Sequence, residues 1–414
     1  MDTRADRFPL FDSLRALAAL AVICSHTASF GGVVGEGDAV RPFVGQFAVA
    51  VPIFLLISGF LLYRPFAVAR IRRDELPSVR AYGWRRLLRV VPAYWVALVL
   101  ITAWLGSNYV YPVGEPSPNT FSTEGLVAYF GFLQVYDTHW GGGGIPQAWT
   151  VDTEVVFYLL LPLYAALALW ALRRFRGAAG ELVLIGGVIA LSLIYKLVVV
   201  EAQDLDTIPV GPLPLLSSLP AYADHFALGM GLAVVSVMVQ ASDREPGFVR
   251  VVDRHPWLPW LVAALAFFAV SKGIGMDGSP TERMTTGQYF ARHALFGVVA
   301  FGLLLPAVFG DLKRGLVRRF LANRVLLHVG MVSYGLYLWH LAIIIQLVRW
   351  DYASLEIVHP WVTWLIPVVL GGVLAGSLSY YLVERPALSL KRLVPDRRDD
   401  QPGAVSAPAA PPAI

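Results

Sequence analysis

The 414-residue chain is strongly apolar, with 57% hydrophobic and 15% charged residues. The apolar residues recur in blocks of about twenty, the length that crosses a hydrocarbon core of about 30 Å. This composition predicts an all-α polytopic membrane protein. The single cysteine, Cys24, excludes an internal disulfide framework. The net charge of +4 says less about partners than the positions of the basic residues do.

Ten apolar spans follow one another along the chain. They cover residues 10–30, 45–63, 88–106, 150–172, 181–200, 213–240, 257–272, 288–310, 325–349 and 361–383. The first block is long, lacks a small-residue cleavage site and follows only a short basic lead. We therefore interpret it as a permanent span and not as a signal peptide.

A shorter apolar block at 124–136 decides the topology. Cytoplasmic loops collect Lys and Arg. If this block does not cross, most of the 33 basic residues lie on the same side as both termini, whereas a crossing would move every later basic loop outside. We therefore predict cytoplasmic termini, a re-entrant or surface segment near 122–138 on the outer face, and a location in the inner (plasma) membrane.

The domain organisation is simple. Residues 8–390 are predicted to form one membrane domain, since no loop is long enough for a second folded unit. Residues 391–414 are charged and then rich in Ala and Pro without apolar periodicity, which is typical of a disordered tail; we expect it to be cytoplasmic.

Polar groups are expected at two depths of the bundle. Arg15 and His26 are eleven positions apart, so both leave the same face of the first span, about 16 Å apart along its axis. The cytoplasmic layer contains Arg15, Ser58, Gly59, Arg86 and Arg89. Planar guanidinium forks suit phosphates, although arginines that flank a span also serve as positive-inside anchors.

The outer layer contains His26, Glu154 and His340. In the ninth span, Gly330, Ser333, Tyr337 and His340 recur at three- and four-residue spacing, which predicts a polar stripe on one helix face. Each group alone is compatible with a satisfied core residue. Together they indicate a site, because each buried charge costs at least ~2.5 kcal/mol in a membrane.

Three further features rank lower. Asp152 points about 200° away from Glu154 around the helix, so we expect a wetted residue at the end of its span. Asp224 with His225, and Arg292 with His293, are expected to pair locally.

This layout favours acyl transfer. A histidine can take a proton from an attacking hydroxyl, and a carboxylate can orient or stabilise the ring. A cationic mouth about 16 Å away would hold the phosphates of a large donor. The sequence lacks HxxxH, HExxH and GxxxxGK[ST] motifs, so we predict no metal site and no nucleotide-driven chemistry.

Six stretches, in order over about residues 8–390, resemble the acyltransferase-3 family of membrane O-acyltransferases. They are FDSLRALAALAVICSH, ISGFLLYRPF, RRLLRVVPAYW with RxxR at Arg86 and Arg89, AWTVDTEVVFYLLLPL, SYGLYLWHLAI and VERPAL around Glu384. One departure is a WTV sequence where many relatives have WSL. As a second departure, we expect only a short tail after the last span, where some members carry a fused extracytoplasmic hydrolase-like domain.

The resemblance implies transfer of an acyl group, often acetyl from acetyl-CoA, to a hydroxyl of a carbohydrate or glycosylated acceptor. His26 would be general base or acyl carrier, and Glu154 would assist it. Arg15, Ser58, Gly59, Arg86 and Arg89 would bind the donor, and Ser333, Tyr337 and His340 the acceptor or oxyanion. No tightly bound cofactor is expected. The partners would be acyl-CoA, a hydroxyl-bearing glycan or glycosylated small molecule, and the lipid bilayer, with no nucleic acid.

Two other classes stay open at this point. A transporter or flippase for an acylated or sugar intermediate would also use a polar lumen with buried His and Glu. A scaffold protein would leave the buried charges unexplained. The sequence leaves open the acceptor, the acyl chain length, the oligomeric state and the side of product release.

Overall fold

The structure, a computed structural model, describes residues 8–106, 119–141, 143–173, 178–203, 205, 207–209, 213–242, 244–279, 282–352 and 358–396. The first eight helices are α1 (Leu10–Phe30), α2 (Arg41–Val44), α3 (Ala50–Arg72), α4 (Val79–Leu105), α5 (Thr123–Phe130), α6 (Trp149–Ala171), α7 (Ala179–Ala202) and α8 (Pro214–Ser217). The others are α9 (Leu219–Gln240), α10 (Gly247–Arg254), α11 (Trp257–Phe268), α12 (Thr286–Val308), α13 (Leu316–Leu321), α14 (Arg324–Met331), α15 (Ser333–Arg349), α16 (Pro360–Ser379) and α17 (Arg385–Ser389).

Shorter elements connect these helices. Turns of 3-10 helix lie at Gly45–Val49, Gln134–Tyr136, Pro146–Ala148 and Leu390–Leu393, and π-helical turns lie at Ala269–Gly273 and Tyr380–Glu384. Two short strands, β1 (Ile208–Pro209) and β2 (Arg283–Met284), pair antiparallel with Ile208 opposite Met284.

The predicted helical membrane architecture is confirmed. By length and composition, eight helical segments of the described chain are suited to crossing a membrane, and ten if each of two bent helix pairs counts as one span. The bent pairs are Gly247–Arg254 with Trp257–Gly273, at 84°, and Arg324–Met331 with Ser333–Arg349, at 74°. These ten segments correspond to the ten predicted spans.

The segment predicted not to cross is short, as expected. Helix α5 has eight residues and is about 12 Å long, far less than a hydrocarbon core of about 30 Å. The Tyr94 hydroxyl donates to the carbonyl of Tyr129 at 3.0 Å, and Trp95 Nε1 donates to the carbonyl of Phe130 at 3.1 Å. Side chains of α4 therefore hold this segment in place.

Close backbone contact joins α3 to α9 at two glycines. A Cβ added at Gly59 would lie 2.1 Å from the carbonyl oxygen of Phe226, and one added at Gly229 would lie 2.2 Å from that of Leu56. Small residues permit this approach, which increases van der Waals contact between helices in a membrane. Gly59 was predicted to bind the donor, but its α-carbon faces the α9 backbone instead.

The ninth span is not one continuous helix, which corrects the prediction for 325–349. It breaks at Val332 between α14 and α15. Gly330 packs so closely on α1 that an added Cβ would lie 1.8 Å from the carbonyl oxygen of Asp12. The predicted stripe from Gly330 to His340 is therefore split, because α14 lies against α1 while α15 turns by 74°.

The ordered chain also extends into the predicted tail. Residues Leu390–Leu393 form a 3-10 turn, and the buried Asp396 carboxylate forms an ion pair with Arg85 at 2.8 Å. Residues 391–396 thus belong to the folded domain. The rest of the predicted tail, 397–414, lies outside the described residues.

Candidate active site

A cavity of about 130 Å³ lies among α1, α3, α4, α6 and α15. We call it the arginine cavity. It is lined by Arg15, Val51, Phe54, Leu55, Ser58, Leu61, Leu62, Arg86, Arg89, Val90, Thr150, Val151, Glu154, Tyr158, Ser333, Tyr334 and Tyr337. Cationic groups and an apolar wall therefore share one space, as in a site for an anionic ligand with an apolar arm.

The cationic groups come from two helices and one helix start. Arg15 lies in the second turn of α1, and Arg86 and Arg89 lie one turn apart on α4. Because α15 begins at Ser333, which lines the cavity, the positive end of that helix dipole adds to the same field. The break at Val332 is what places this helix start there.

Two of the three arginines have a carboxylate partner. Arg15 Nη1 lies 3.0 Å from Asp12 Oδ1, and Arg89 Nη1 lies 3.4 Å from Glu384 Oε2. Within the described chain, Arg86 has no ion-pair partner, and its buried Nε has no hydrogen-bond partner. An anion entering the cavity would therefore find Arg86 uncommitted.

The cavity also contains an acid. Ser58 donates a hydrogen bond from its hydroxyl to Glu154 Oε1. Glu154 was predicted beside His26, but no hydrogen bond joins these two residues in the part of the chain that is described. The carboxylate instead shares the cavity with the three arginines, because its side chain leaves α6 toward α3 and α4.

His26 and His340 form a pair outside this cavity. His26 Nδ1 lies 2.8 Å from His340 Nε2, and the ring centroids are 5.1 Å apart. His340 is fully buried, and its Nδ1 lies 2.7 Å from the carbonyl oxygen of Tyr337. The expected juxtaposition of the first and ninth spans through their histidines is therefore present.

The hydrogen-bond chain defines the tautomers of two neutral rings. A carbonyl oxygen only accepts, so His340 Nδ1 carries the hydrogen and His340 Nε2 is an acceptor. His26 must then donate from Nδ1, which leaves the lone pair on its Nε2. That nitrogen has no hydrogen-bond partner among the described residues, so it is available to a substrate proton.

Tyr337 connects the histidine pair to the arginine cavity. Its ring lines the cavity, and its carbonyl accepts from His340. Its hydroxyl donates to the carbonyl of Gln147 at 2.5 Å and lies 2.8 Å from Thr150 Oγ1. Gln147 Nε2 in turn donates to the carbonyls of Tyr337 and Leu338. This reciprocal contact holds α15 against the start of α6.

The structure thus divides the ten predicted site residues. Seven line the arginine cavity: Arg15, Ser58, Arg86, Arg89, Glu154, Ser333 and Tyr337. His26 and His340 form the histidine pair, and Gly59 contacts α9. Ser333 Oγ donates to the carbonyl of Gly330 at 2.7 Å.

Asp152 corrects another expectation. It is fully buried, not wetted, and its Oδ2 accepts from the backbone N–H of Val135 at 3.1 Å. The acid therefore ties α6 to the short segment before it. The sequence predicted that the Asp152 side chain points away from Glu154. It did not predict that the segment around Val135 covers this side chain.

Several lining residues were missed from the sequence. Tyr158 lies one helical turn after Glu154, so the i, i+4 rule was a usable signal. Tyr334 and Thr150 are neighbours of residues that were chosen. Gln147 does not line the cavity but was also missed; it is only 4% exposed, and its signal was an amide in an apolar stretch just before a span.

A second polar cluster lies between α7, α9 and α12. Lys196 Nζ is 2.6 Å from both Asp224 Oδ2 and His293 Nε2, and these last two atoms are 2.8 Å apart. The main partners of Asp224 are therefore Lys196 and His293. The expected pairing of Arg292 with His293 is not found. Arg292 instead donates a hydrogen bond to Gln46 Oε1 at 2.8 Å. The Lys196 ammonium already neutralises the acid of this cluster.

The apolar helical bundle, with an arginine cavity and a histidine pair in its interior, defines a multi-pass membrane protein with an enzyme-like site. A family model described as an acyltransferase domain matches residues 9–383. The chain therefore belongs to the acyltransferase-3 family and is a membrane acyltransferase.

Individual relatives are more distant. The chain is 25% identical over 403 residues to the acyltransferase MdmB of Streptomyces mycarofaciens, covering 94% of both chains. It is 26% identical over 402 residues to nodulation protein 10 of Rhizobium leguminosarum bv. viciae, covering 94% of this chain and 95% of the relative.

It is also 23% identical to the peptidoglycan O-acetyltransferase OatA of Listeria monocytogenes, over 91% of this chain and 55% of the relative. The chain thus spans about half the length of that protein. No solved structure matches this chain.

Proposed function

We propose that this protein transfers an acyl group, most simply acetyl, from an acyl-CoA donor to a hydroxyl of a carbohydrate or glycosylated acceptor. The observation that supports it best is the hydrogen-bonded series from the Tyr337 carbonyl through His340 to His26. It leaves a histidine lone pair free, next to a cavity with an uncommitted arginine. We further propose that the two termini are cytoplasmic and that the membrane is the inner (plasma) membrane.

The donor is assigned to the arginine cavity. Arg86 supplies a free guanidinium for the donor phosphates, and Arg15 and Arg89 supply two more that already lie at the cavity wall. Apolar residues such as Phe54 and Leu55 line the space beyond them and suit the uncharged arm and the acyl group. Acyl-CoA would act as a co-substrate, without any tightly bound cofactor.

His26 is assigned as the general base. Its Nε2 takes the proton of the acceptor hydroxyl as that oxygen bonds to the acyl carbon. The thioester C–S bond breaks, and the departing sulfur receives the proton from His26 to give the free thiol. In the covalent variant, Nε2 bonds to the acyl carbon as the C–S bond breaks. The acyl group then passes from Nε2 to the hydroxyl oxygen, and the hydroxyl proton goes to the departed thiolate to give the free thiol.

The other predicted residues receive narrower roles. His340 orients His26, since its Nε2 is occupied as an acceptor. Ser333 and Tyr337 donate their hydroxyl hydrogens to backbone carbonyls, so we assign them to the shape of the site and not to an oxyanion. Glu154 balances the arginines and holds Ser58, rather than contacting His26.

The acceptor class rests on relatives. One of them is a peptidoglycan O-acetyltransferase, which acts on a hydroxyl-bearing glycan. By analogy, the acceptor here is a glycan or a glycosylated small molecule that reaches His26 from the outer half of the bundle. A transporter would need neither the free lone pair on His26 nor release of a thiol.

The test uses purified protein in lipid nanodiscs with acetyl-CoA and a panel of glycans and glycosylated metabolites. We expect acceptor-dependent thiol release by the wild type and its loss in His26→Ala. The matched control is His255→Ala, since His255 is exposed. Thiol release from folded His26→Ala at the wild-type rate would refute the role of His26. Vectorial movement of an acylated substrate without thiol release would favour a transporter.

A further inference from the structure

The VERPAL stretch at 383–388 contains a buried acid that the mechanism above does not use. Glu384 is 0% exposed, while its neighbours Leu382 and Arg385 are exposed. A buried carboxylate in a membrane helix is costly and needs a stated partner. This residue is therefore a candidate for a role in the site.

Local backbone geometry directs Glu384 inward. It is the last residue of the π-helical turn Tyr380–Glu384, which packs against α4. A π turn inserts one residue, so it rotates the following side chains by about 100°. Pro386 lacks an N–H and cannot donate to the carbonyl of residue 382, which favours such a departure from α-helical bonding.

Arg89 is the ion-pair partner of this acid. Arg89 Nη1 lies 3.4 Å from Glu384 Oε2, and Ser379 Oγ donates to Glu384 Oε1 at 3.5 Å. Oε2 has no hydrogen-bond partner in the described chain. Arg89 also lines the arginine cavity, so its guanidinium lies between the buried acid and the space assigned to the donor.

Two contacts next to this pairing, both on one side of it, join the same two segments. Trp84 Nε1 donates to the carbonyl of Leu390 at 2.9 Å, and Arg85 forms its ion pair with Asp396. The start of α4, before Arg89, is thus joined at two points to the segment that follows Glu384. Arg89 and Glu384 are held at a defined separation and are not free surface groups.

We propose that Glu384 is a positioning residue, which orients the Arg89 guanidinium so that one edge of its fork faces the donor phosphates. This inference rests on the proposed acyl-CoA donor. The 3.4 Å separation leaves the guanidinium N–H groups only loosely engaged, so they can bind a phosphate without breaking a short bond.

Positioning and simple electrostatics predict opposite results for Glu384→Gln. If the acid acted only through its charge, its loss would leave the cavity more positive and would tighten CoA binding. If it positions Arg89, its loss weakens CoA binding despite the gain in positive charge. We expect the second result, with at least a tenfold loss, roughly the worth of one hydrogen bond to a charged group.

The experiment measures the affinity of nanodisc-embedded protein for CoA and for acetyl-pantetheine, which lacks the nucleotide phosphates. Glu384→Gln should weaken CoA binding and leave acetyl-pantetheine binding and the acceptor KM unchanged. Glu384→Asp, which keeps the charge on a shorter arm, should be intermediate. The control Glu201→Gln removes an exposed carboxylate and should change nothing.

A double-variant cycle tests whether the effect passes through Arg89. In an Arg89→Gln background, Glu384→Gln should change CoA affinity by less than about twofold, because the residue it orients is gone. The double variant replaces both charges with neutral groups, so it leaves no unpaired buried charge. If Glu384→Gln alone folds poorly, the double variant and Glu384→Asp still test the inference.

The other outcomes are distinct. Unchanged or tighter CoA binding in Glu384→Gln overturns the inference, and so does equal weakening of CoA and acetyl-pantetheine, which indicates general structural damage. An Asp variant that equals wild type while the Gln variant fails supports charge-mediated orientation. If wild-type protein does not bind CoA at all, the proposed donor is wrong and the inference falls with it.

Discussion

Replacing His340 by alanine tests the tautomer assignment for His26. In the wild type, the 2.8 Å hydrogen bond to His340 Nε2 requires the hydrogen on His26 Nδ1. Without His340, the His26 ring can rotate and can place its hydrogen on Nε2. That tautomer has no lone pair for the acceptor hydroxyl, so the base is lost while the residue itself stays in place.

The magnitude follows from two terms. One lost buried hydrogen bond allows rotation of His26 and is worth about 1 kcal/mol, or roughly fivefold in rate. Population of the wrong tautomer adds a further loss, which reaches about 10⁴-fold where an ionised acid normally sets the tautomer. His340 is neutral in this assignment and its influence is weaker, so we expect a total fall in kcat of about 10- to 100-fold.

The assay is thiol release under saturating acetyl-CoA and acceptor, with folding checked by thermal unfolding. His340→Gln keeps an acceptor oxygen in reach of His26 Nδ1 and should lose less than His340→Ala. The double variant His26→Ala, His340→Ala should be no slower than His26→Ala alone, because both act in one unit. A folded His340→Ala that retains at least half of the wild-type kcat would show that His340 does not set the tautomer of His26.

Three further predictions concern other parts of the molecule. Arg15→Lys keeps the charge but loses the planar fork, so the KM for acyl-CoA should rise about tenfold with kcat unchanged; an unchanged KM would return Arg15 to a role as a membrane anchor. Gly59→Ala should lower stability by about 1–3 kcal/mol in thermal or denaturant unfolding, because its Cβ would overlap the α9 backbone; a donor-binding defect without destabilisation would contradict this. The N–H of Val40, and then His359, hold the pKa of Asp38 below its usual value, so the Asp38 contribution to stability is present above about pH 3.8 and is lost as pH falls through the lower folded-state pKa. Asp38→Asn should therefore lower the unfolding temperature at pH 6, and the difference from wild type should shrink towards pH 3. A constant difference would be inconsistent with a stabilising contribution from the ionised Asp38 carboxylate.

Hydropathy was sufficient for the helical architecture because each span needs about twenty apolar residues whatever it packs against. Hydropathy was not sufficient to predict the break at Val332. The apolar pattern continues across that residue, and the bend depends on the contact of Gly330 with the α1 backbone, which is remote in sequence. A local periodicity does not contain such a contact.

The sequence predicted which residues line the site better than it predicted which of them lie together. Depth along a span follows from the helical rise, and it correctly placed Arg15 with Arg86 and Arg89. The direction in which a side chain leaves its helix depends on the packing partners. Glu154 therefore joined the arginines and not His26, and Gly59 turned to α9.

Glu384 and Gln147 illustrate the remaining gap. Each is a single polar residue beside a span and is compatible with an interfacial position. Glu384 became a site residue only because a π turn directs it toward Arg89, and Gln147 because it contacts α15. Neither contact has a signature in sequence spacing.

Acyl transfer by His26 is tested most sharply by following the acyl group itself. Nanodisc-embedded protein is incubated with acetyl-CoA labelled in the acetyl carbon and with a glycan acceptor that supports thiol release. We predict that wild-type protein transfers the label to a hydroxylamine-labile ester on the acceptor, and that folded His26→Ala transfers none while still binding CoA. Label transfer by His26→Ala at the wild-type rate would exclude His26 as the base or acyl carrier.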